Sequence, residues 1–124
     1  MKLIDIIKAR KIMPLDIPDI DIQLKYKIVN FIKQTDKEEE FYNAELLNII
    51  TEFADKDENG MFKLTASGDI VINNETKSLF IERSNQLDNT EVQITDFSLT
   101  LDEVSQLKLS VRQMLDLDIF IKEK

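Results

Sequence analysis

Apolar residues recur at steps of three and four through the first half of the chain. Leu3, Ile4, Ile7 and Ile12 set this spacing first and predict a short helix over residues 3–12. Pro14 and Pro18 follow. They predict an extended connection through "MPLDIPDID", because a residue before proline avoids the helical region. The longest pattern then begins at Leu24 and continues through Ile28, Phe31, Ile32, Tyr42, Leu46, Ile49, Ile50 and Phe53. Polar residues fill its middle, and Thr35 with Glu38 fits a capping box that would break the helix and restart it. No Gly or Pro interrupts the stretch, which favours one helix from about 21 to 54. Such a helix would run on the order of 50 Å and would need a partner along part of its length.

Beyond residue 60 the period changes. "MFKLT" and "DIVIN" alternate apolar and polar around Ala66, Ser67 and Gly68, which predicts a β-hairpin at about 61–73. Asn74 or Thr76 can cap a helix over about 75–87, with Leu79, Phe80 and Leu87 as its apolar face. "TEVQI" reads as a short third strand. Thr100 with Glu103, and Ser110 with Gln113, form two capping boxes that start two short helices. Val111, Met114, Leu115, Ile119 and Ile121 are the expected inward face of the second. These elements predict a single α+β domain over residues 1–124. In it a long helix and shorter helices pack on a small antiparallel sheet containing the hairpin.

Composition narrows the chemistry. The chain has 124 residues, 43% of them apolar, enough for one domain with a core. It has no Cys, which excludes disulfides, thiolate nucleophiles and zinc–thiolate sites. It has no His, which removes the usual general base and the usual transition-metal ligand. Only Gly60 and Gly68 are present as glycines, so there is no Gly-rich phosphate loop. These absences argue against an enzyme and against a cofactor. No run approaches the length of a membrane span, and Asp5, Lys8, Arg10 and Lys11 break any signal-peptide core. The expected location is the cytoplasm, or a virion if the protein is carried there.

Charge is uneven. Residues 1–34 hold seven bases and four acids, residues 35–60 two bases and nine acids, and residues 61–124 seven bases and eleven acids, for a net −8. An acidic surface repels phosphate backbones, so direct nucleic-acid binding is not expected.

Two clusters carry candidate chemistry. Asp55, Asp57, Asn59 and Gly60 match the first half of an EF-hand calcium loop, and Phe62 falls at its apolar position. Ala66 occupies the place of the bidentate Glu, so the loop reads as turn chemistry with at most weak calcium affinity, and no metal site is expected. The run around Glu38, Glu39, Glu40 and Glu45 has no His to complete a di-metal site. Together with Tyr26, Phe31, Phe41 and Tyr42 it is the candidate protein interface, since aromatic residues concentrate at binding hot spots.

The order of parts is similar to a family of small uncharacterised proteins of phages and prophages of low-GC Gram-positive bacteria. Tyr26 and Lys27 opening the helix, the Lys56–Gly60 turn, Glu91–Val92 and the Leu115–Ile121 ending carry the resemblance. It implies a phage origin and no assigned activity. The expected function is a non-enzymatic protein-binding factor, in virion assembly or an accessory role. Its partner would be a phage structural protein or a host protein, with self-association through the long helix as a further possibility. The alternative is an acidic host-directed inhibitor that mimics nucleic acid.

Overall fold

The computed structural model describes residues 1–13, 19–94 and 97–122. The expected extended connection at the two prolines lies outside them. Of the described residues, 64% are helical and 9% lie in strands or single bridges, with no sheet among them. The α+β expectation is therefore corrected: the fold is mainly helical, and no antiparallel sheet supports the helices.

Helix α1 spans Leu3–Ile12. Its apolar residues divide between two clusters: Leu3 and Ile7 enter one, Ile6 and Ala9 the other. Helix α2 is one unbroken helix of 32 residues, Ile22–Phe53. The Asp21 carboxylate accepts from the Leu24 amide at 2.8 Å and caps its start. Leu24, Ile28, Phe31, Thr35, Ile49 and Phe53 form its buried stripe. Thr35 does not break the helix as a capping box would. Its hydroxyl donates to the Phe31 carbonyl at 2.6 Å and accepts from Arg10 Nη1 at 2.7 Å. A buried hydroxyl satisfied on both counts leaves the helix no reason to open.

The first cluster gathers Ile6, Ala9, Met13, Leu24, Ile28, Phe31, Leu99, Val104, Leu107, Leu117 and Phe120 among others. Phe31, Phe97 and Phe120 meet pairwise, with ring centroids 4.6, 5.5 and 5.4 Å apart. The second gathers Leu3, Ile7, Ile49, Phe53 and Leu87, with Tyr42, Leu46, Ile72, Phe80 and Val92 packed at its edge. Both clusters sit under the same face of α2, one toward each end. At about 1.5 Å per residue α2 is roughly 48 Å long, so it needs both.

The expected hairpin takes a different form. Three antiparallel bridges, Ala54–Ile72, Lys56–Phe62 and Leu64–Ile70, join three extended segments to one another. The Asp55 amide donates to Val71, Val71 to Lys63 and Lys63 to Asp55, each at 2.9 Å. Every segment thus pairs with both others and the three close into a ring. No edge remains to extend a ladder. The ring repeats every eight residues, at Asp55, Lys63 and Val71. Gly60 and Gly68 adopt φ +77° and +87°, and their amides donate to Asp57 and Thr65 as Thr76 does to Asn73. Each turn uses a polar side chain at its start: Asp57 accepts from Asn59, Thr65 from Asp69 and Asn73 from Glu75.

After the turn at Asn74–Thr76, helix α3 spans Lys77–Asp88. Leu87 is buried, Phe80 packs against Phe53, and Leu79 is exposed rather than inward. "TEVQI" forms no strand over its described residues. Glu91 makes one bridge with Lys2. Helices α4, Leu101–Leu107, and α5, Val111–Leu117, both start at the expected capping boxes. Glu103 also accepts from Lys27 Nζ at 2.7 Å, pinning α4 to α2. Burial pushes the Glu103 carboxyl up, but the Lys27 ammonium and the Thr100 amide more than offset this and hold it below its ordinary range. Of the expected inward face of this segment, only Ile121 packs against the first cluster, and it is partly buried. Leu117 and Phe120 are buried, whereas Val111, Met114, Leu115 and Ile119 are exposed.

Candidate functional site

The residues expected to form an interface separate into three groups. Phe31 is fully buried in the first cluster and presents nothing to a partner, which corrects its assignment as an interface residue. Glu39 and Tyr42 are half-buried and bind within the protein. Glu39 accepts from Arg10 Nε at 2.9 Å, and Tyr42 donates its hydroxyl to Asp88 at 2.9 Å, tying α2 to α3. Glu38 and Glu45 are half-buried, and one Glu38 carboxylate oxygen is enclosed without a hydrogen-bond partner. Tyr26, Glu40 and Phe41 are exposed.

The Tyr42 phenol is raised from its ordinary value of 10.0 to about 12, by burial first and then by the Asp88 bond and charge. A raised value means that the folded state favours the neutral phenol. The resulting stabilisation is present below pH 10.0 and lost as pH rises through about 12. An absorbance titration of the folded protein should show one of its two tyrosines ionising only near that upper value, and Tyr42→Phe should abolish this late step.

Sequence reasoning located the inner stripe of α2 and named only Tyr26 and Glu40 of the outer one. Ile22, Tyr26, Lys33, Glu40, Leu47 and Thr51 lie opposite the buried stripe and are all exposed, as helical geometry requires. Ile22, Tyr26 and Leu47 are 76%, 67% and 57% exposed, large apolar side chains in water at both ends of the helix. The charges along α2 are sorted too. Residues 22–34 carry Lys25, Lys27 and Lys33 and no acid, whereas residues 35–53 carry six acids against Lys37. The signal was available in the sequence as steps of three and four on the far side of the helix. A second exposed apolar patch, Val111, Leu115 and Ile119 on and after α5, has no comparable charge pattern.

The calcium-like loop is built as a turn. Asp57 Oδ1 accepts from the amides of Asn59 at 2.8 Å and Met61 at 3.0 Å, so its carboxylate holds the loop's own backbone. Among the described residues no group of three or more acidic side chains is placed to hold a metal. A groove of about 540 Å³ is lined by Lys27, Asn30, Lys33, Phe97 and Ser98. Its Lys27 is already bonded to Glu103 and to the Ser98 carbonyl.

Among the described residues no helix is long and apolar enough to cross a membrane. The fold and surface define a mainly helical protein organised on one long two-cluster helix whose outer face is uncovered. Comparison with family models, curated proteins and solved structures returns no match.

Proposed function

We propose that this chain is a non-enzymatic protein-binding factor and that the outer face of α2 is its docking surface. The observation that carries the reading is the pair of exposed apolar sites, Ile22–Tyr26 and Leu47, on a helix whose inner face is already filled. Exposed aromatic and aliphatic anchors on a rigid helix suit protein recognition. The resemblance to small phage and prophage proteins makes phage structural proteins and host proteins the partner classes to test first. The inhibitor reading has less support. Of nine acids in residues 35–60, Asp36 and Glu39 neutralise Arg10, Glu52 pairs with Arg83, and Asp57 caps its turn.

A photocrosslinking residue placed at Leu47 tests the proposal, with the same residue at exposed Glu75 as control. Adducts with protein at position 47 and none at position 75 are expected. Equal labelling at both positions, or none at 47, would refute it.

A further inference from the structure

The occupant of this surface can be argued from its own charge pattern. Laid antiparallel against a second copy of itself, the outer stripe of α2 is self-complementary, because its basic and acidic halves then face each other. With the twofold axis between residues 36 and 37, Lys33 faces Glu40 of the other copy and Tyr26 faces its Leu47. Ile22 then meets Thr51, and Lys37 meets Asp36. Every such pair occurs twice, as a twofold interface demands. Opposite charges meet at the centre and apolar side chains meet at both ends.

A slip of one helical turn still sets Lys33 against Asp36 and Ile22 against Leu47, but Asp36 is already held by Arg10, so the Lys33–Glu40 register keeps the stronger charge pair. Slips of two turns are penalised. A slip of two helical turns one way sets Glu40 against Glu40, and the other way Lys33 against Lys33. A parallel arrangement sets every charge against its like. Like charges in contact select against those alternatives. All six residues of the two principal pairs and the Ile22–Thr51 pair are exposed. Asp36 is already shared with Arg10 and adds least.

We infer that the protein self-associates as an antiparallel dimer through the outer face of α2, with Lys33–Glu40 and Tyr26–Leu47 as its reciprocal contacts. This rests on the docking reading above and names the partner. The footprint, roughly 44 Å long and about 10 Å wide per copy, is smaller than a standard stable interface. The dimer is therefore weak, with dissociation in the micromolar range, and salt loosens it.

The absence of cysteine makes the test direct. Tyr26→Cys and Leu47→Cys variants, each carrying a unique thiol, are mixed at about 100 µM, a concentration that populates a micromolar dimer. Disulfide-linked dimers pairing position 26 with position 47 are expected, in excess of 26–26 and 47–47 products. Sedimentation supplies the second arm. Lys33→Glu and Glu40→Lys should each weaken self-association at least about tenfold. An equimolar mixture of the two should recover it, because their stripes are complementary to each other. A strict monomer at that concentration overturns the inference, as does random disulfide pairing or a failure of the mixture to recover. If self-association fails while crosslinks at Leu47 still reach another protein, the docking reading survives alone. If both fail, both fall.

Discussion

Phe31→Ala should cost this protein about 3–5 kcal/mol of folding stability. Phe31 is fully buried, and its ring meets Phe97 at 4.6 Å and Phe120 at 5.5 Å. Truncation empties the centre of the first cluster and ends two aromatic contacts. Each of those partners comes from a distant part of the chain, so local relaxation of α2 cannot refill the space. Native domains hold only about 5–15 kcal/mol in total, so this is a large share of it and the urea midpoint should fall sharply. Urea denaturation followed by circular dichroism checks this. Phe41→Ala is the control. Phe41 is 51% exposed, and its loss should change stability by no more than about 0.5 kcal/mol. Equal effects of the two substitutions would contradict the assignment of Phe31 to the core.

Arg10→Met should cost about 2–3 kcal/mol, most of it from two hydrogen bonds. The Arg10 side chain is only 9% exposed. Its Nη1 donates to the Ile32 carbonyl at 2.8 Å and to Thr35 Oγ1 at 2.7 Å, where α1 crosses α2 between the two clusters. Burial alone would lower its pKa, and the bonds and charges of Glu39 and Asp36 more than reverse this. Those two carboxylates are 37% and 56% exposed, so their ion pairs add little once solvent screening is counted. Methionine keeps most of the stem packing and removes the fork. Lysine restores the charge but not the five-donor geometry, and Arg10→Lys should recover less than half of the loss. Thermal unfolding of the three proteins at low and high salt tests the division. A strong salt dependence of the Arg10→Met deficit would mean that the exposed ion pairs carry it.

The helices were legible because their signals are local. The helix over residues 3–12 was read with the bounds the structure has, the long helix within one residue at each end, and both C-terminal capping boxes at their residues. Thr35 misled in part because a capping pattern looks the same whether its hydroxyl caps an amide or satisfies a buried arginine. The hairpin misled because alternation predicts extended segments but says nothing about how many neighbours each has. Asp55, Lys63 and Val71 exchange hydrogen bonds in a closed cycle, and only three-dimensional closure reveals it. The interface assignment mixed core and surface because it grouped aromatic residues by type, although Phe31 lies on the apolar stripe of α2 and Tyr26 lies opposite it.

The sequence by itself determined which segments are helical, where they start, and that no cysteine or histidine chemistry operates. Propensity, capping and composition are properties of residues and their near neighbours, so they survive without a fold. The tertiary structure decided which of two apolar stripes on a helix turns inward. On α5 and the turn after it, both Val111–Leu115–Ile119 and Leu117–Phe120 are apolar, and the second is buried because the Phe31–Phe97–Phe120 contact closes the first cluster. On α2, by contrast, periodicity alone already placed Phe31 on the inward stripe and Tyr26 opposite it. Burial is a competition among distant segments for one core, and its outcome depends on partners that local periodicity does not contain.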